Sequence, residues 1–431
     1  MDRFDTRLMH PRMQISTIIS RIYRRGLTTT SGGNISVQDE QGTIWVTPAG
    51  VDKGSLTGND IIEVQNDGTI HGLHQPSSEY PFHKAIYEIR HDLKAVIHAH
   101  PPALVGFSIV RSCPDTNVIP QAKAVCGPIG YAPYELPGSS DLGESIAREF
   151  AKGFNAVIME NHGVVVAGKD LREAYERFET LEFCARTIIK ARTIGEPFLL
   201  SDGDIEKFED RYSSTLPEME HVSYPSDERE IRAQIRDIVH RACNQGLMIS
   251  SYGTVSARWR GNDFLVTPRN ISRWDMQSED IVQIKAGKRE PGKLPSRSVR
   301  MHAEIYRRFP DVHSVIITQS PNVMAFSLTG KKFDDRTIPE SWILLQDIPI
   351  LPFSMHFENE EAFVNSLGPK SPVLIVRNDS IIVTGKSILH SFDRLEVAEF
   401  SARSLIYSTP LGKMVPINEK QIEELRKKFL S

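Results

Sequence analysis

Apolar positions along this chain follow two alternating rhythms. Short apolar runs rich in β-branched residues occur at "NISV" (34–37), "TIWVTP" (43–48), "KAVIHA" (94–99) and across "AVIMENHGVVVAG" (156–168), and these predict strands. Between them, apolar residues spaced by three and four in "EYPFHKAIYEIR" (79–90), "SSDLGESIAREFAK" (139–152) and "LREAYERFETLEFCARTIIKA" (171–191) predict amphipathic helices, as does a similar stretch near the start. The helix over 139–152 carries Asp141 near its start, where the partial positive charge of a helix N-terminus favours an acid. The strand pair within 156–168 is joined only by the short turn Asn161 to Gly163, so its strands must run antiparallel. The pattern is therefore mixed α/β, and it argues against a doubly wound parallel sheet.

The same rhythm occurs twice. "RRGLTTTSGGNISV" and "WVTPAG" are echoed by "NQGLMISSYGTVSA" and "LVTPRN", matching Gly26 to Gly246 and Thr47-Pro48 to Thr267-Pro268. "PSSEYPFHKAIYE" aligns with "PSRSVRMHAEIYR", "AVIHAHPPALVGFS" with "SVIITQSPNVMAFS", and the segment around Asn161 with that around Asn378. A period of about 220 residues is far too long for a solenoid and indicates a duplicated domain. The polar, acidic stretch "LSDGDIEKFEDRYSSTLPEMEHVSYPSDE" between the copies reads as a short helix and a linker. We expect domains at 1–205 and 229–431, with the linker at 206–228.

A chain of 431 residues suits two domains of ordinary size. With 40% hydrophobic and 25% charged residues and a net charge of -4, it reads as a globular protein with no broad basic surface for nucleic acid or an anionic membrane. The start "MDRFDTRLMHPRM" lacks an apolar signal core and no run has the length of a membrane span, so a cytoplasmic location is expected. Cys113, Cys126, Cys184 and Cys243 form no C-x-x-C pair and are expected to be reduced thiols.

The chemistry is concentrated at "KAVIHAHPPA". Two histidines two positions apart at a strand end project to one side, and Pro101 and Pro102 stop the ladder immediately after them. Taken alone, His98 and His100 fit either a hydrogen-bonded pair at a strand edge or half of a chelate. The duplication weighs between these readings. His98 and His100 become Ile317 and Gln319 in the second copy, His162 becomes Asp379 and Glu79 becomes Ser298, whereas His83 persists as His302 and Gly168-Lys169 as Gly385-Lys386. Residues of one metal site become useless together once any is lost. His98, His100 and His162 are therefore read as ligands of a catalytic zinc or related divalent ion, with Glu79 a fourth ligand or a proton-transfer group. His83 is assigned to the fold. "SGGN", "TPAG" and "PSSE" supply glycine turns, hydroxyls and backbone N–H groups of the kind that hold a phosphate, with Ser77-Ser78 at a helix start.

The motifs "GLTTTSGGNIS", "VTPAG", "PSSEYPFHKAIY", "VIHAHP", "YAPYELPGSSDL" and "NHGVVVAGKDLREA", in that order over about residues 10 to 205, resemble the class II aldolase/adducin family. The resemblance implies a three-layer α/β/α fold around a mainly antiparallel central sheet, present twice, with the metal site erased from the second copy. It implies metal ligands at His98, His100 and His162, a phosphate site including Asn34, Gly50, Ser77 and Ser78, and a proton-transferring acid at Glu79. It further implies a zinc-dependent lyase that cleaves a ketose phosphate or related hydroxyketone acid through a metal-stabilised enediolate. A decarboxylase, dehydratase or epimerase at the same metal is the alternative, and a non-catalytic adducin-like protein a more distant one. The sequence departs from the family in lacking a tyrosine at the expected distance before "APY" and in having Ala49 within the phosphate loop. Because the relatives build sites between subunits of a four-fold ring, a homodimer imitating that tetramer is expected.

Overall fold

A computed structural model describes residues 8–211 and 216–430 and divides them into two compact units. One runs up to Thr116 and resumes over Gln121–Arg186; the other takes Asn117–Pro120 and the residues from Thr187 onward. The linker expected at 206–228 crosses residues 212–215, which lie outside the described residues, and a helix covers Asp202–Arg211 just before them.

In the first unit the order is α1 (Pro11–Arg24), β1 (Asn34–Gln38), β2 (Ile44–Val46), β3 (Ile62–Val64), β4 (Ile70–His71), α2 (Tyr80–Ile89) and β5 (Ala95–Ala99). There follow α3 (Pro102–Ile109), α4 (Pro120–Cys126, in this unit from Gln121), β6 (Gly130–Ala132), α5 (Ser140–Ala151), β7 (Ala156–Met159), β8 (Gly163–Gly168) and α6 (Leu171–Ile194, in this unit as far as Arg186). The strands form one eight-stranded sheet in the order β4-β3-β2-β1-β5-β8-β7-β6, antiparallel throughout except at β6–β7. The turn at Asn161 does join antiparallel neighbours: Asn161 takes the left-handed conformation at φ 51°, which asparagine tolerates better than most residues.

Strand alternation sorts the side chains between two faces. Val96 of β5, Val157 and Met159 of β7, and Val165 and Ala167 of β8 pack beneath Phe82, Ile86 and Tyr87 of α2 and Leu142, Ile146 and Phe150 of α5. The cross-strand row Ile35, Ile97, Val166 turns to the opposite face, while α1 lies along β1 and β2 and α3 along β7 and β8. His98 sits in register with Asn34 on one side and Val165 on the other, and so shares the face covered by α2 and α5.

The second unit repeats this plan with β9 (Thr254–Arg260), β10 (Asp263–Val266), β11 (Val282–Lys285), β12 (Lys288–Arg289), β13 (Ser314–Thr318), β14 (Ile350–Leu351), β15 (Val373–Val376) and β16 (Ser380–Gly385). Their order, β12-β11-β10-β9-β13-β16-β15-β14, is that of the first sheet, again with one parallel pair, β14–β15. A buried carboxylate serves the same purpose in each unit. Glu182 of α6 accepts the Leu104 N–H at the start of α3 at 3.3 Å, and Glu399 accepts the Asn322 and Val323 N–H groups at 3.0 Å at the start of the helix Val323–Thr329. Both satisfy helix-end donors that would otherwise be buried without partners. All four cysteines are free, and among the described residues no helix is long and apolar enough to cross a membrane.

Candidate active site

His98 is the penultimate residue of β5, His100 follows the strand end, and His162 lies in the β7–β8 turn beside it. Antiparallel pairing of β5 with β8 thus brings together residues more than sixty positions apart in sequence. Their nearest ligand atoms all lie within 4.8 Å of one another, and the His98 and His100 Nε2 atoms are 3.0 Å apart. Burial is the main cause holding all three imidazoles toward the neutral form, reinforced at His98 by His100 and His162 and at His100 by His162. His98 Nδ1 lies 3.0 Å from the Val164 carbonyl; if it donates there, the proton is fixed on Nδ1 and the Nε2 lone pair is directed into the cluster. Neutral, converging nitrogens are the state a divalent ion requires of its ligands.

Glu79 closes the fourth side. It occupies the N-cap position of α2 yet makes no side-chain capping bond there; Ser77 Oγ instead accepts the Glu79 N–H at 3.3 Å. The freed carboxylate places Oε2 at 3.3 Å from His98 Nε2 and Oε1 at 3.4 Å from His162 Nε2. Asn34 Nδ2 donates to Oε2 at 2.7 Å, whereas the buried Oε1 has no hydrogen-bond partner. An unpartnered buried carboxylate oxygen facing three neutral imidazoles is the donor set of a cation, and a divalent ion fits these residues.

Behind Glu79 runs a buried polar chain. Asn34 Oδ1 meets His83 Nε2, His83 Nδ1 lies 2.7 Å from Ser36 Oγ, and Ser36 Oγ lies 2.7 Å from the Tyr87 hydroxyl. His83 is fully buried and its pKa is pushed down to about 3, first by burial and then by His98. It is a hydrogen-bonded helix residue, as expected, but in this unit it also orients the amide that holds Glu79. The second unit keeps the scaffold half of this chain, His302 to Ser256 at 2.6 Å and Ser256 to Tyr306 at 2.7 Å, while Thr254 and Ser298 stand where Asn34 and Glu79 would be.

Asn34, expected to bind substrate, is thus buried between Glu79 and His83. The loops that carry Gly50 and Ser77-Ser78 lie side by side just before Glu79, because the Pro48–Pro76 bridge joins them, with Ala49 N–H donating to Gln75 O at 2.9 Å and Ser77 N–H to Thr47 O at 3.1 Å. Lys53 supports the first loop: buried, with its pKa lowered by burial, it donates to the Pro48 carbonyl at 2.9 Å.

Two glycines make room for His100. A Cβ on Gly163 would lie 2.5 Å from the Ala99 oxygen and 2.8 Å from His100 Cδ2, and one on Gly32 would lie 2.8 Å from His100 Nδ1. In the second copy, where Gln319 replaces His100, these positions hold Ser380 and Tyr252. This loss together with the imidazole is a signal present in the aligned copies. Gly163→Ala is accordingly expected to displace the His100 ring and weaken metal binding by about 10- to 100-fold, the scale of an outer-shell change. Metal retention after dialysis against a graded chelator checks this, and retention equal to that of the unsubstituted chain would refute it.

The family model described as class II aldolase and adducin N-terminal domain matches residues 13–189 and again 233–406. The chain is 31% identical over 209 residues to a 5-deoxy-D-ribulose 1-phosphate aldolase of Bacillus thuringiensis serovar kurstaki, covering 48% of this chain and 96% of the relative. It is 37% identical over 171 residues to an L-fuculose phosphate aldolase of Methanocaldococcus jannaschii, covering 39% and 90%. A 3-oxo-tetronate 4-phosphate decarboxylase of Pectobacterium atrosepticum is 32% identical over 181 residues, covering 41% and 83%.

Proposed function

Since the chain belongs to the class II aldolase and adducin family in each of its halves, we propose that it is a metal-dependent lyase that cleaves the aldol bond of a ketose phosphate or a related hydroxyketone acid. The observation that carries this reading is the Glu79 carboxylate held against the three neutral imidazoles of His98, His100 and His162. That donor set favours zinc. Bound there, the ion supplies Lewis-acid stabilisation of negative charge that develops on substrate oxygens.

The chain's own residues do the remaining work. Asn34 fixes one oxygen of Glu79, leaving Oε1 to take a proton from the substrate and return it. The hydroxyls of Ser77 and Ser78, the Ser78 N–H and the open turn at Gly50 hold the substrate phosphate, so that its reacting carbon is presented to Glu79. Two chains form a homodimer in which the four family domains imitate a tetramer with two active sites.

Decarboxylation is the second reading, favoured by the similarity to the 3-oxo-tetronate 4-phosphate decarboxylase. A turnover screen of the zinc-loaded chain against ketose 1-phosphates and phosphorylated 3-oxo sugar acids, with products identified by mass, tests both. Two carbonyl fragments support aldol cleavage and carbon dioxide supports the second reading. Turnover of neither substrate class overturns both.

A further inference from the structure

Where the second unit has lost the residues of a metal site it has gained positive charge. Arg269 stands at the position of Ala49 and Arg297 at that of Ser78, one on each of the two loops that the Pro48–Pro76 bridge joins in the first unit. The loops are joined in the same way: Pro268 bridges Pro295, Arg269 N–H donates to Leu294 O at 2.8 Å, and Ser296 N–H donates to Thr267 O at 3.0 Å. The bridge carries both arginines to one place. Neither guanidinium has a hydrogen-bond or ion-pair partner among the described residues, and the Arg269 Nε atom is buried without one.

We propose that the second unit binds the phosphate group of a small hydroxylated phosphomonoester between Arg269 and Arg297. Two planar guanidinium forks are suited to bidentate contact with phosphate, and a dianion between them would remove the repulsion of two like charges. That repulsion is felt: the Arg269 pKa is lowered first by burial and then by Arg297. The floor of the site is equally polar. Thr254, Ser296 and Ser298 form a triangle of hydroxyls with separations of 2.6, 3.1 and 3.3 Å, and the two serines flank Arg297 in sequence. Beneath them His302 is fully buried and its Nε2 has no partner, because Thr254 is too short to reach it as Asn34 reaches His83. Hydroxyls and an unpaired imidazole nitrogen suit the oxygens of a hydroxylated carbon chain, and the arginines suit its phosphate.

The inference concerns the unit without the histidine cluster and does not depend on the proposed lyase activity. The test is the double variant Arg269→Ala plus Arg297→Ser, which gives each loop the residue that the first unit carries in the same fold. Bound inorganic phosphate is counted per full-length chain by equilibrium dialysis at low salt, where screening is weak. The count is expected to fall by one in the variant, and an unchanged count would overturn the proposal. On the unsubstituted chain, glycerol 3-phosphate is expected to displace that phosphate with at least about tenfold higher affinity, since it also reaches the hydroxyls. Weaker displacement than by unlabelled inorganic phosphate would overturn the assignment to a phosphomonoester.

Discussion

Replacing Glu79 by Gln is expected to lower kcat by about 10²-fold or more while leaving the bound metal in place. The amide has nearly the shape of the carboxylate, so its oxygen still accepts from Asn34, whose Nδ2 lies 2.7 Å from Oε2, and the imidazoles are untouched. What disappears is the capacity of Oε1, the buried oxygen with no hydrogen-bond partner, to accept a proton and give it back. Steady-state kinetics with metal analysis on the same sample separates the two possible roles of this residue. Reduced kcat with full metal content assigns Glu79 to proton transfer, reduced metal content assigns it to the ligand set, and near-normal turnover removes it from both.

The sequence carried the outline of the site because its strongest signals are local or repeated. His98 and His100 sit on a strand end closed by two prolines, and the Asn161 turn dictates antiparallel neighbours. The loss of four groups together in the second copy linked His162 and Glu79 to them. The polar chain behind Glu79 depends instead on cross-strand register, since Asn34 is opposed to His98 across β1 and β5 and reaches α2 only through that pairing. No linear pattern encodes it, and Asn34 in a glycine-rich turn resembles a phosphate-loop residue. His83 is legible in the sequence only in part. Its retention as His302 marks it as scaffold, which its bond to Ser36 confirms, but its second nitrogen serves a partner that only the first copy possesses. Arg269 and Arg297 are not legible as a pair in the linear sequence either, because only the Pro268–Pro295 bridge brings their two loops together.

The largest effect is expected from His100→Gln. This substitution installs the residue found at the equivalent position of the second unit, Gln319, whose amide donates to the Asp379 carbonyl at 2.8 Å and so fills the space with a hydrogen bond inside the protein. The fold accommodates that residue, and a failure to bind metal therefore reports the lost ligand. One of three converging nitrogens is removed, leaving two imidazoles and Glu79 around the position. The metal affinity should fall well beyond the roughly 10- to 100-fold of an outer-shell change, and turnover should fall to background with it. The unsubstituted chain should hold one ion after dialysis, because the second unit has Ile317, Gln319 and Asp379 where the first has His98, His100 and His162. Elemental analysis decides both points: two ions per chain would mean that the second unit also binds metal, and equal retention by His100→Gln would show that the histidine cluster is not where the ion sits.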